Sequence, residues 1–185
     1  MKNDSCVCCF FGHREISESV KLKDILYENI EKLITKENVR IFLFGSKSQF
    51  NDLCHEIVTK LKETYPFVKR IYVRAEFPYI DDSYKTYLLE KYEDTYYPEK
   101  LINAGRAVYV KRNYEMIDKS DFCVVYYSGI KNLSLNGRFF IFLPIKAYSI
   151  SANRNSGTNN SFICSHIDSL TAENNEANRF SPDSS

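Results

Sequence analysis

The feature that most constrains this chain is a pattern that occurs twice near its start. A mostly apolar run ends at a glycine, and an amphipathic stretch follows. Cys6-Val-Cys-Cys-Phe-Phe11 runs into Gly12, and Val39-Arg-Ile-Phe-Leu-Phe44 runs into Gly45. Apolar runs without polar alternation suit strands covered on both faces, as in a parallel sheet. Between them, residues 18–36 carry Val20, Leu22, Ile25, Leu26, Ile30, Leu33 and Ile34. Those spacings of three and four predict a helix with one apolar face, and Asn38 just beyond it is a stop signal. After Gly45, residues Phe50, Leu53, Cys54, Ile57, Val58 and Leu61 predict a second helix, closed by Pro66, and residues 69–75 alternate as a third strand. Two consecutive β-α-β units imply a parallel sheet with right-handed crossovers.

Further along, the pattern loosens. Residues 79–83 read as a turn with a helix cap, 84–92 as a short helix, 107–110 as a short strand, 111–119 as a short helix and 121–127 as a strong strand. After Gly129 periodicity is lost. Residues 151–185 are rich in Ser and Asn and poor in aliphatic residues, a composition that does not offset the entropy of ordering, so the tail reads as largely disordered. Residues 138–145 are a candidate edge strand, since Pro144 lacks the donor an inner strand requires. The expected organisation is a Rossmann-like domain over residues 1–130 and an atypical tail over 131–185. The fold class is α/β, doubly wound and mostly parallel.

Composition narrows the function classes. A chain of 185 residues with 44% hydrophobic and 26% charged residues fits one globular domain. Its net charge is +1, from 25 basic and 24 acidic side chains, and this lacks the basic excess of a general nucleic-acid binder. The cysteines at 6, 8, 9, 54, 123 and 164 show no zinc-ligand spacing and read as free thiols in a reduced interior. The start, Met-Lys-Asn-Asp-Ser, has no signal-peptide character, and the later apolar run at 139–145 is too short to span a bilayer. A cytoplasmic protein without a membrane partner is expected. Nothing in the sequence sets its oligomeric state.

In open parallel sheets, ligands sit beyond the carboxyl ends of the strands, where helix N-termini supply N–H groups. Two such ends carry glycine here, in Phe11-Gly-His-Arg-Glu-Ile16 and Phe44-Gly-Ser-Lys-Ser-Gln-Phe-Asn-Asp52. Gly12 and Gly45 would allow close or left-handed backbone beside a phosphate, with His13, Arg14, Ser46, Lys47 and Ser48 as donors. The competing reading is that both glycines only make strand-to-helix turns. Neither loop is a G-x-x-x-x-G-K-[ST] or G-x-G-x-x-G motif, so no cofactor is implied.

Three segments carry a family resemblance: Cys8-Cys-Phe-Phe-Gly-His-Arg-Glu15, Phe42-Leu-Phe-Gly-Ser-Lys-Ser-Gln-Phe-Asn-Asp-Leu53 and Arg112-Asn-Tyr-Glu-Met-Ile-Asp-Lys-Ser-Asp121. Together they closely resemble the YpsA-like proteins, a family of unknown function in the SLOG superfamily of Rossmann-like domains. That superfamily also holds DNA-processing protein A and the Lonely Guy cytokinin-activating enzymes. The resemblance covers residues 6 to about 127. It implies a doubly wound sheet and a pocket for a nucleotide or nucleotide sugar, lined by Gly12, His13, Arg14, Gly45, Ser46, Phe50, Asp52, Arg112, Asn113 and Asp118. In that pocket Arg14 and Arg112 would clamp phosphates, Phe50 would stack on a base and Asp52 would accept ribose hydroxyls. Each has a structural alternative: Phe50 as core, Asp52 as a helix-start charge, Arg112 as surface charge, Asp118 and Asp121 as local caps, and His55 as a partly buried spectator. From Ser128 onward the resemblance stops, so that, by comparison with the family, the C-terminal helix–strand unit is missing or replaced. The Gly-Thr helix start that closes the pocket in the family has only a faint echo at Ser156-Gly-Thr158.

The leading reading is therefore a binding module, a sensor or carrier of a nucleotide-derived small molecule. Next stands a nucleoside-monophosphate phosphoribohydrolase like the Lonely Guy enzymes, although their P-G-G-x-G-T-x-x-E loop is absent and no catalytic motif is recognised. A DNA-processing partner and a decayed, inactive copy are the remaining readings.

Overall fold

The computed structural model describes residues 5–16 and 18–127, together with the backbone of Phe139–Pro144. The rest of the predicted tail, including Ser156-Gly-Thr158, lies outside the described residues.

The first apolar run is strand β1 (Cys6–Gly12), and helix α1 (Val20–Lys36) follows it. The Ser19 hydroxyl caps α1 by accepting from the Leu22 N–H at 3.2 Å. Leu22, Leu26, Ile30, Leu33 and Ile34 form its buried stripe. Asn38 ends this unit in the left-handed region, φ 55°, where its short polar side chain is tolerated. Strand β2 (Val39–Phe44), helix α2 (Gln49–Thr64) and strand β3 (Lys69–Val73) complete the second unit. Helix α3 (Asp82–Leu89) begins at a cap, with the Asp81 carboxylate accepting from the Tyr84 N–H at 2.7 Å. Strand β4 (Asp94–Tyr96), helix α4 (Val108–Asp118) and strand β5 (Phe122–Tyr127) follow, and β6 (Phe139–Pro144) is the last described element.

These strands form one sheet in the order β4-β3-β2-β1-β5-β6. The five strands from β4 to β5 are parallel, and β6 runs antiparallel along β5, from Phe122 opposite Pro144 to Tyr127 opposite Phe139. The fold is α/β and Rossmann-like. Both faces of the central strands are covered. Cys8, Phe10, Phe42, Phe44, Val124 and Tyr126 pack under α1 and α2. Cys9, Phe11, Leu43, Val73, Cys123 and Val125 pack with Met116 of α4 on the other face. Alternate residues of each run therefore serve opposite layers, so the runs are apolar throughout rather than every second residue.

Two details depart from the sequence reading. Residues 107–110, read as a strand, are a 3-10 turn (Gly105–Ala107) leading straight into α4. The buried positions of α4 are Arg112, Asn113, Glu115 and Met116, so its inward stripe is mostly polar and hides the helical period. The three-residue β4, at the sheet edge, has no signal in the sequence, because Asp-Thr-Tyr is too short to display an alternation. Among the described residues, no helix is long and apolar enough to cross a membrane.

Strands β1 to β4 march in one direction from β1, while β5 lies on its other side. The chain thus reverses between β1 and β5, where such sheets open a crevice. At that point Gly12 leaves no room for a side chain, since an added Cβ would sit 2.5 Å from Phe50 Cγ and 2.8 Å from Phe50 Cβ. Phe50 Cβ is tied to the α2 backbone and cannot swing aside. Gly12→Ala is expected to destabilise the fold by about 1–3 kcal/mol. This would appear as a fall in melting midpoint of roughly 2–10 °C by calorimetry or circular dichroism.

Candidate functional site

The carboxyl end of the sheet is built from the loops that leave β1, β2 and β3 and the starts of α2, α3 and α4. The loop after Gly12 is laced to the first residue of α2. The Gln49 N–H donates to the Arg14 carbonyl at 2.9 Å, and the Ile16 N–H donates to Gln49 Oε1 at 2.8 Å. Ser48 caps α2 by accepting from the Asn51 N–H at 3.2 Å, while its hydroxyl also meets Ser46 Oγ at 3.1 Å. The N–H groups of Gln49, Asn51 and Asp52 are thus already engaged by the chain itself. An anion at this end would meet side chains before it met a row of helix N–H groups. The His13 ring stands edge-on to Tyr126 at 6.1 Å, across the β1–β5 switch. Arg14 and Lys47 are exposed.

The two glycines do not adopt left-handed conformations. The space beside each is filled by the chain's own side chains. Phe50 covers Gly12, and Arg112 Nη1 and Met116 Sδ lie 2.6 and 2.7 Å from where a Cβ on Gly45 would be. Phe50 is fully buried and stacks on Tyr126, with ring centroids 5.4 Å apart at 16°. It therefore belongs to the core. Its ring packs against Gly12 and Tyr126 with no exposed surface, which is the structural alternative to stacking on a base.

Arg112 also points inward and is only 3% exposed, so it is not surface charge. Its Nη1 donates to the carbonyls of Gly45 and Val73, the latter at 3.3 Å, and its Nε donates to Asn113 Oδ1 at 2.9 Å. The guanidinium therefore ties α4 to the ends of β2 and β3. Burial pushes its pKa down to about 10, against the pull of Tyr72, Tyr109 and Glu76. One turn earlier on the same helix face, the Tyr109 hydroxyl donates to Glu76 Oε1, and Glu76 Oε2 lies 3.5 Å from Lys47 Nζ. Burial, and then the Glu76 bond, raise the Tyr109 phenol to about 12. Sequence reasoning missed Glu76 and Tyr109. The signal was their place: Tyr109 is three residues before Arg112, and Glu76 follows β3, but the strand reading of 107–110 concealed the shared helix face.

The remaining expected residues are distributed unevenly. Asp52 is exposed on the first turn of α2. Burial raises its pKa, and His55 and Lys91 oppose that rise. Asp118 closes α4, at the opposite end of the sheet, where its exposed carboxylate is 3.8 Å from Lys100 Nζ. Nearby, Asp121 accepts from the N–H of Val7 at the start of β1, at 2.9 Å. The structure thus gathers Gly12, His13, Arg14, Gly45, Ser46, Phe50, Arg112 and Asn113 at one end and leaves Asp118 at the other.

The fold and this arrangement define an α/β protein of the Rossmann-like class with a polar cluster at the carboxyl end of its sheet. No family model matches the chain, and no curated protein matches it.

Two measurements test the site's electrostatics. Arg112→Ala would leave two carbonyls without a charged donor, and hydrogen bonds to charged groups are worth about 1.5–3 kcal/mol each. A loss of roughly 3 kcal/mol or more in urea unfolding is expected, whereas Arg14→Ala is expected to change stability by less than about 0.5 kcal/mol. His55 supplies a pH dependence. Its ring lies 4.8 Å from Tyr92 and 5.3 Å from Phe44, and burial lowers its pKa below 6.5, while its bond to the Lys91 carbonyl acts the other way. The unfolded chain therefore binds the proton first, so this contribution is complete above about pH 6.5 and is lost as pH falls below it. The melting midpoint of the protein is expected to fall between about pH 7 and pH 5.5, and to fall less in His55→Gln.

Proposed function

We propose that this protein binds a nucleotide-derived small molecule at the carboxyl end of its sheet, as a sensor or carrier and as a member of the YpsA-like branch of the SLOG superfamily. The supporting observation is convergence. The three segments that carry the resemblance lie far apart in sequence, yet contacts join them at the carboxyl end of the sheet: Gly12 against Phe50 on the α2 face, and Gly45 against Arg112 on the α4 face. The first of these contacts lies at the β1–β5 reversal, where doubly wound sheets hold ligands.

The chemistry of the rim fits an anionic, hydroxyl-bearing ligand. Arg14 and Lys47 are exposed cations beside the loops that leave β1 and β2, and His13 and Ser46 add further donors. Arg112 supports the rim from below instead of clamping a phosphate, because its Nη1 is held by two carbonyls. Cys8, Cys9, Cys54 and Cys123 are buried thiols outside any disulfide, which fits a reducing compartment such as the cytoplasm.

Differential scanning fluorimetry of the full chain against nucleoside monophosphates, ADP-ribose and nucleotide sugars tests the reading. A ligand at a hundred times its Kd stabilises by about 2.7 kcal/mol, a rise of roughly 5–10 °C for a chain of this size. At least one of these compounds is expected to produce such a rise, and Arg14→Ala to diminish it while leaving the unliganded midpoint nearly unchanged. A well-folded sample that responds to none of them overturns the proposal.

A further inference from the structure

Resting on the nucleotide reading above, we propose that the base of the ligand stacks on Phe77 and that its ribose hydroxyls donate to Glu76, a subsite on the β2–β3 side of the rim. The burial of Phe50 leaves a nucleotide without its expected aromatic partner. The loop after β3 presents another. Phe77 is 61% exposed and sits at φ 54°, in the left-handed region that a residue with a Cβ avoids. Its carbonyl accepts from Arg74 Nη1 at 2.8 Å, and the Tyr84 ring stands edge-on to it at 6.3 Å. A bulky apolar side chain is thus held outward in a conformation that costs free energy, the kind of outlier that collects at ligand sites.

The neighbouring residue supplies the second observation. Glu76 is anchored from one side by the Tyr109 hydroxyl, while its other oxygen lies 3.5 Å from the exposed Lys47 ammonium. An exposed pair of this kind is weak, so a ribose diol can replace the lysine at Oε2. Lys47 would then be released toward the phosphate side of the same ligand. Consecutive residues therefore offer a carboxylate for the sugar and a ring for the base, both at the sheet end where Arg14 stands. Stacking on an aromatic ring tolerates any base, so the subsite selects for the presence of a base and not for its identity.

Isothermal titration of the full chain with AMP and with ribose 5-phosphate separates the possibilities. Phe77→Gly removes the ring at a position whose backbone favours glycine, so its melting midpoint is expected to equal or exceed that of the unsubstituted chain. The same variant is expected to bind AMP about tenfold more weakly, the scale of one base–aromatic stack, and to bind ribose 5-phosphate unchanged. If Phe77→Gly binds AMP as tightly as the unsubstituted chain, the subsite is wrong and the nucleotide reading stands. If the unsubstituted chain binds neither compound nor any nucleotide in the fluorimetric panel, the nucleotide reading falls and the subsite falls with it.

Discussion

The close approach of two helices to two strand ends underlies the rest of this structure. Helix α2 lies against β1 where Gly12 has no side chain, and α4 lies against β2 where Gly45 has none. The first contact lets Phe50 settle on Tyr126 and seal one layer of the core. The second lets the Arg112 side chain run beside the strand and reach the carbonyls of Gly45 and Val73. Strand-end carbonyls in a parallel sheet face outward, and a carbonyl buried without a donor is costly. The guanidinium meets that need for two strands at once, so α4 is fixed by a polar contact where α2 is fixed by an apolar one.

That difference shapes the two ends of the sheet. At the amino end, charged groups pair with one another. The Arg70 guanidinium meets both oxygens of Glu93, at 2.6 and 3.2 Å, and Glu115 lies between Lys100 and Lys119 at 3.0 and 3.1 Å. At the carboxyl end, the inward groups hold the frame, and Arg14, Lys47, Glu76 and Phe77 face outward above it. Burial has driven the Arg112 pKa down, while its neighbours Tyr72, Tyr109 and Glu76 favour its charged form. A charge placed there is costly and well supported, which suits a part of the frame better than a group that must release its contacts to take a ligand.

Much of the fold was legible because its elements follow strong local periods. β1, β2 and β5 are apolar runs, and α1 and α2 carry stripes of Leu, Ile, Val and Cys at helical spacing. The Asn38 stop and the cap ahead of Tyr84 were legible for a similar reason, since both are set by one side chain acting on its own backbone. The start of α4 was not. Ala107-Val-Tyr-Val110 resembles a strand, and the helix face that would have corrected it consists of Tyr109, Arg112, Asn113 and Met116. The candidate site was legible to a similar degree. The glycine-marked strand ends are local patterns, while the contact of Glu76 with Tyr109 and the place of Asp118, at the end of the sheet opposite Gly12 and Gly45, depend on how α4 packs.

The amino-acid sequence by itself determined that a parallel sheet forms, which strands lie at its centre and where their carboxyl ends fall. Those features depend on patterns within some twenty residues, and burial of an apolar face is enough to impose them. Only the tertiary structure decided what each marked residue does. Whether a glycine at a strand end leaves space for a phosphate or for a neighbouring side chain depends on how closely a distant helix approaches. Phe50 became core and Arg112 became a tie between α4 and two strands because the layers close on them. Phe77 was left outside because the loop that carries it turns away from those layers. Contacts between residues as far apart as Gly45 and Arg112 have no local period to announce them.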